Sequence, residues 1–168
     1  MRKKGACHEP GQTHEDYLKR AIEISKAARE SGNTPFGALL AGPGGEILLE
    51  QGNVEITQKR CTGHAETALA ERASQLYAKE FLWGCTLYTT AEPCCMCAGA
   101  IYWGNIGRVV YAMEETALLA LTGANSQNPT FRLPCREVFG RGQKPIEVLG
   151  PFPALEGLAA EVHRGYWK

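Results

Sequence analysis

Gly63-His64-Ala65-Glu66, followed by Cys85-Thr86-Leu87-Tyr88-Thr89-Thr90-Ala91-Glu92-Pro93-Cys94-Cys95-Met96-Cys97, is the stretch that decides the fold. Residues 85–89 are β-branched and aromatic, which predicts a strand. Pro93 suits a first helical turn, so a short helix is expected from it to about Trp103. Cys94 and Cys97 are then i and i+3 at a helix start, with both thiols on one face. A helix N-terminus favours negative charge, lowers a thiol pKa and presents thiolates to a cation. His64 opens a second expected helix over 64–77, with Leu69, Ala73 and Leu76 on one face. Its imidazole can reach the thiols from that separate element. One imidazole and two thiolates form a soft, tetrahedral donor set that suits zinc.

Working outward, Thr13-His14-Glu15-Asp16 has the form of a capping box. Tyr17, Leu18, Ala21, Ile22, Ser25 and Ala28 follow at helical spacing, with Gly32 as the expected C-cap. Residues 36–41 and 46–50 read as strands around the tight turn Gly42-Pro43-Gly44-Gly45. A polar loop over 51–63 leads to His64. Beyond Trp103, a fourth strand is expected at 108–111, a helix at 114–121, irregular chain at 122–143 and a fifth strand at 146–149. Leu155, Leu158, Ala159 and Val162 mark a last helix opened by Pro153. This order predicts an α/β fold, with helices on both faces of a mixed sheet.

The 168 residues suit a single domain over 1–168, with 1–12 as a loose polar lead-in. With 44% hydrophobic and 21% charged residues, disordered and coiled-coil classes are excluded. Lys+Arg and Asp+Glu number 18 each, a balance that argues against a strong footprint for nucleic acid or anionic membrane. No apolar core follows Met1-Arg2-Lys3-Lys4, and no apolar run approaches the ~20 residues of a membrane span. A cytoplasmic location is expected, where thiols stay reduced. The seven cysteines are therefore metal ligands, nucleophiles or inert singles. Cys7, Cys61, Cys85 and Cys135 lie apart from one another, and Cys95, one position round the helix from Cys94, is expected to be a core thiol.

Glu66 stands two residues after His64. In mid-helix such a pair diverges, but a residue at the helix entrance is free of that geometry, so both can face one pocket. A carboxylate beside a zinc-activated water is what general acid–base hydrolysis needs. Cys94-x-x-Cys97 taken alone would favour a closed structural site, with Cys61, Cys85, Cys95 or Cys135 as fourth ligand, and in some proteins such a pair is a redox pair. A non-catalytic zinc-binding module is the reading from another class, and an intact Glu66 speaks against it. His-x-Glu with Pro-Cys-x-x-Cys is the signature of zinc deaminases, in which the Glu is not a ligand.

On His64-Ala65-Glu66 and 89–101 the chain resembles the cytidine-deaminase-like superfamily, strongly from about Pro35 to Ala112. Within it, the resemblance is to the branch of guanine deaminases, tRNA adenosine deaminases and yeast-type cytosine deaminases. It implies a three-layer α-β-α fold with a five-stranded mixed sheet, and a homodimer. It also implies one Zn2+ per chain on His64, Cys94 and Cys97, zinc-bound hydroxide as nucleophile, and Glu66 as proton shuttle. The Ala65 backbone N–H would hold a substrate oxygen. Asn53, eleven residues before His64, stands where relatives place an asparagine that contacts the base, although a turn residue after Gly52 is the plain alternative. Phe36 in Pro35-Phe36-Gly37-Ala38 stands where guanine-type relatives stack the base, or is simply a core aromatic. Trp103 in Ile101-Tyr102-Trp103 matches guanine deaminase-like sequences, or packs or joins a dimer face. Tyr166 or Trp167 would close the pocket.

These features favour a guanine-like purine, as free base or nucleoside. One departure is that 116–136 holds no Asp or Glu where guanine-type relatives carry an acid; Asn125 stands in the corresponding place. tRNA adenosine is the second substrate. It draws on Cys97-Ala98-Gly99-Ala100 and on Arg132, Arg136, Arg141 and Lys144 as a basic stripe, but the Asp-Pro usual before such a His is missing. Cytosine is the third.

Overall fold

The computed structural model describes residues 11–123 and 125–167. The expectations for Cys7 and most of the lead-in fall outside them. Five strands form one mixed sheet in the order β2-β1-β3-β4-β5. They are β1 (Gly37–Ala41), β2 (Ile47–Gly52), β3 (Thr86–Ala91), β4 (Arg108–Met113) and β5 (Glu147–Leu149). β1 runs antiparallel to both β2 and β3, and β3, β4 and β5 are mutually parallel. The β1–β2 hairpin closes at Gly45, where φ is +89°, a region open to glycine at no steric cost. The parallel pairs need helical crossovers. These are α4 (Cys95–Gly104) between β3 and β4, then α5 (Glu115–Thr122) and α6 (Cys135–Gly140) between β4 and β5.

Alternation along the strands builds two cores, one on each face. Ala38, Leu40, Leu87, Val109 and Tyr111 pack toward α2 (Ala65–Leu76), α4 and α6. Leu39, Ala41, Tyr88, Val110 and Ala112 pack toward α1 (His14–Glu30) and α7 (Pro153–Glu161). The three-layer arrangement expected from the element order is what the chain adopts. At the start of α1 the Thr13 side chain accepts from Asp16 N–H while Thr13 N–H donates to the Asp16 carboxylate, the reciprocal box the sequence predicts.

Four boundaries differ in ways that matter. The 122–143 segment is not wholly irregular, because Pro134 caps the short helix α6, which buries Cys135 and Phe139. A one-turn helix α3 (Lys79–Trp83) buries Leu82; five residues are too few to show a period. Helix α4 begins at Cys95 rather than at Pro93, leaving Cys94 as an extended N-cap. The C-cap of α1 is Ser31, with Gly32 one residue beyond at φ +91°. No helix among the described residues is long and apolar enough to cross a membrane.

Candidate active site

Two helix N-termini meet beyond the carboxyl end of β3. His64 is the extended N-cap of α2, and Cys94 is the extended N-cap of α4, with Cys97 in that helix's first turn. His64 Nδ1 lies 3.6 Å from Cys94 Sγ and 3.6 Å from Cys97 Sγ. The three donor atoms all fall within 4.8 Å of one another. Tetrahedral zinc, with bonds of about 2.0–2.1 Å to nitrogen and about 2.3 Å to sulfur, sets such N···S edges at roughly 3.6 Å. The donors present therefore fit the ion in both chemistry and spacing.

Surrounding groups hold the donors in place. Thr67 Oγ1–H donates to Cys97 Sγ at 3.2 Å. Glu55 faces His64 Nε2 at 4.0 Å, which leaves Nδ1 for the metal. The thiol of Cys97 hydrogen-bonds to Cys94 and lowers the latter's pKa to about 4, with His64 adding to the effect. Cys97, sharing that proton and deeply buried, is pushed up. The bond to Cys94 lifts His64 to about 8 against the opposing effect of burial. A cation bound here displaces these shared protons, so its affinity rises with pH.

Glu66 is buried in the first turn of α2, and His64, being a cap, escapes helical geometry, so both line one cavity. Thr89 Oγ1–H donates to Glu66 Oε1 at 2.6 Å, and Cys97 Sγ lies 3.5 Å from Oε2. Burial raises the carboxyl's pKa, with the Thr89 bond pulling the other way. The cavity has a volume of about 280 Å³, at the low end for ligand pockets. Phe36 and Asn53 line it from the β1–β2 side. Asn53 is also the turn residue of the plainer reading, since its Oδ1 accepts Glu55 N–H at 2.9 Å. Phe36 is backed by His163, edge-on at 5.2 Å, and by Trp167 at 6.2 Å.

Other expected contacts lie elsewhere. Trp103 is 73% exposed on α4 and takes no part in the cavity, because its helix turns it to the outer face. Asn125 sits in a turn, its Oδ1 accepting Gln127 N–H, and does not line the cavity. The chain that does is 127–131. Ala65 is fully buried at the start of α2 and contributes no lining side chain. Trp167 supports Phe36 rather than lining the site, and Tyr166 lies under Arg29, 5.6 Å away. Cys95 is half-buried, not a core thiol, while Cys61 is exposed at the cavity and Cys85 and Cys135 are buried.

Two further acids, which no local spacing singles out, belong to the cavity. Glu92 and Glu115 line the cavity beside Glu55 and Glu66, and the described lining contains neither Lys nor Arg. Glu115 stands at the start of α5, one residue ahead of the acid-free 116–136 stretch.

The description "Cytidine and deoxycytidylate deaminase zinc-binding region" matches residues 11–113. A probable cytosine deaminase of Schizosaccharomyces pombe is 37% identical over 153 residues, 90% of each chain. A guanine deaminase of Bacillus subtilis is 40% identical over 104 residues, 61% of this chain and 66% of that one. A solved structure from work on tRNA:A34 deaminases, which edit the wobble position of transfer RNA, superposes with a TM-score of 0.68 at 26% identity, covering 88% of this chain and 99% of the other. The match over 11–113 and the relative aligned over nine-tenths of both chains, together with a His/Cys/Cys donor set that fits zinc and a buried glutamate beside it, place the chain in the cytidine and deoxycytidylate deaminase family as a zinc-dependent hydrolytic nucleobase or nucleoside deaminase.

Proposed function

We propose that the chain removes the exocyclic amine of a neutral free nucleobase. The observation that carries this is the cavity lining, with four glutamates and no Lys or Arg among the described residues. Such a lining favours N–H donors and repels phosphate. Zinc, when bound, supplies the Lewis acidity that makes water nucleophilic at neutral pH. Glu66 takes one proton from the attacking water and delivers it to the ring nitrogen beside the reacting carbon. The amine receives the second proton and leaves as ammonia, and a carbonyl remains. Phe36 stacks on the ring, and the Asn53 side-chain NH2, which has no protein partner among the described residues, donates to a ring carbonyl. The Ala65 N–H at the start of α2 holds a substrate oxygen.

An amino-pyrimidine such as cytosine stands first. The S. pombe relative aligned over nine-tenths of both chains carries that name, and Trp103, half of the signal for guanine, lies away from the cavity. Guanine is the second reading, on Phe36. The tRNA reading weakens because two cations of the expected stripe have internal work. Arg136 binds Tyr111 Oη at 2.6 Å and the carbonyls of Val148 and Gly150. Lys144 Nζ donates to the Tyr102 carbonyl at 2.6 Å. A homodimer through the outer face of α4 is part of the same proposal.

An ammonia-release screen tests this over cytosine, guanine, isoguanine-like and triazine amines, adenine, cytidine, guanosine and a tRNA anticodon stem. Release from free bases is expected. Release from the tRNA stem with none from free bases overturns the proposal.

A further inference from the structure

Two carboxyls are buried in this cavity, and the chemistry above uses only one. Glu66 has Thr89 as donor. Glu115, the first residue of α5, is 9% exposed and lines the same cavity, yet its Oε2 has no hydrogen-bond partner. A buried acceptor left unpaired is costly, and such atoms in native structures usually await a partner from outside the chain. No cation among the described lining residues can serve as that partner.

The position of Glu115 is held from behind. Its backbone N–H donates to Glu92 Oε2 at 3.3 Å, while Glu92 Oε1 accepts Cys135 N–H at 3.0 Å. One carboxylate thus ties the start of α5 to the start of α6, and both to the segment that carries Cys94. Burial, with Glu92 and Cys94 nearby, raises Glu115 to about 7. One oxygen remains an acceptor in either protonation state.

The donor it fits can be identified by elimination. During hydrolysis the amine-bearing carbon faces the zinc ligands, and the adjoining ring nitrogen faces Glu66. Cytosine then offers one ring N–H, the N1–H at which a nucleoside carries its sugar; on guanine the corresponding group is N9–H, on the far side of the ring from the N1–H that adjoins the reacting carbon. Leu118 and the 127–131 segment line the cavity alongside Glu115, where a sugar would need space. We propose that Glu115 accepts this ring N–H and so selects free bases over nucleosides, an inference that rests on the deaminase reading above.

The test compares kcat/KM for cytosine with 1-methylcytosine and cytidine, and for guanine with 9-methylguanine and guanosine. It uses the wild type, Glu115→Gln and Glu115→Ala, with zinc content measured for each. The wild type should prefer the unmethylated base by ~100-fold or more, as sites built around a buried hydrogen bond do. Glu115→Gln retains an acceptor and should keep the preference. Glu115→Ala should lose ~10-fold or more on the free base, mainly through KM, and its preference should shrink to within ~3-fold, with zinc unchanged. A preference equal in wild type and Glu115→Ala overturns the inference. So does a wild type that takes the methylated base as readily as the free one, a comparison that needs no variant to fold. No ammonia from any base in the wild type overturns the deaminase reading instead, and the inference falls with it.

Discussion

The cavity wall that carries Glu66 and the wall that carries Glu115 are assembled differently. On the first, two helix N-termini bring His64, Glu66, Cys94 and Cys97 together, and each acidic or sulfur atom meets a partner at 2.6–3.6 Å. On the second, Glu115, Leu118 and the 127–131 segment come from the crossover between β4 and β5, and the Glu115 carboxyl has an oxygen without a partner. The first wall is satisfied from within, as a metal-holding, proton-moving site requires. The second is left open to a donor from the substrate. A fold can vary the second wall without touching the first, and relatives of this chain carry cytosine, guanine and tRNA adenosine in their names.

The largest expected effect separates two jobs on the first wall. Glu66→Gln should lower ammonia release by ~100- to 10,000-fold while metal analysis still finds zinc. Cys97→Ala should lose both metal and activity. If Glu66→Gln also loses zinc, the carboxyl is holding the site together rather than moving protons.

Next in size is the support behind Phe36. Burial lowers His163 from the ordinary histidine value of 6.5 to about 4, with Arg29 contributing. The unfolded chain therefore binds a proton before the folded one does, so stability is full above about pH 6.5 and falls as pH drops toward 4. The loss should reach ~3 kcal/mol in denaturant titrations. His163→Gln should flatten that acid limb. An unchanged limb would locate the acid sensitivity elsewhere, on either of the two walls.

Glu92→Gln probes the tie behind Glu115. An amide oxygen can accept one of the two helix-start N–H bonds, and its NH2 then opposes the other. A stability loss of ~1–3 kcal/mol is expected, with KM raised and zinc content unchanged. A variant that loses zinc would show that the walls are coupled. The smallest effect is expected at Trp103→Ala, on the outer face of α4, with stability within ~0.5 kcal/mol and kcat/KM unaltered. A shift toward slower sedimentation in that variant would assign this face to the homodimer.

Much of the first wall was legible in the chain because its geometry is local. Cys94 and Cys97 are fixed by one helical turn, and a strand followed by Pro93 positions that turn. The alternating strands and the Thr13 capping box were legible for the same reason, since periods of two and three to four residues depend on near neighbours. Helices α3 and α6 were not, being too short for a period to appear.

The sequence by itself determined the metal donors, the neighbouring glutamate and the layered α/β order, because each is written in short-range spacing. Only the tertiary structure decided that Glu92 and Glu115 face the cavity, that Trp103 does not, and that 127–131 rather than Asn125 lines it. The directions of Glu92, Glu115 and 127–131 depend on how the β4–β5 crossover packs back over the end of β3, a contact between segments distant in the chain that no local period encodes, while that of Trp103 is set by how α4 packs on the sheet.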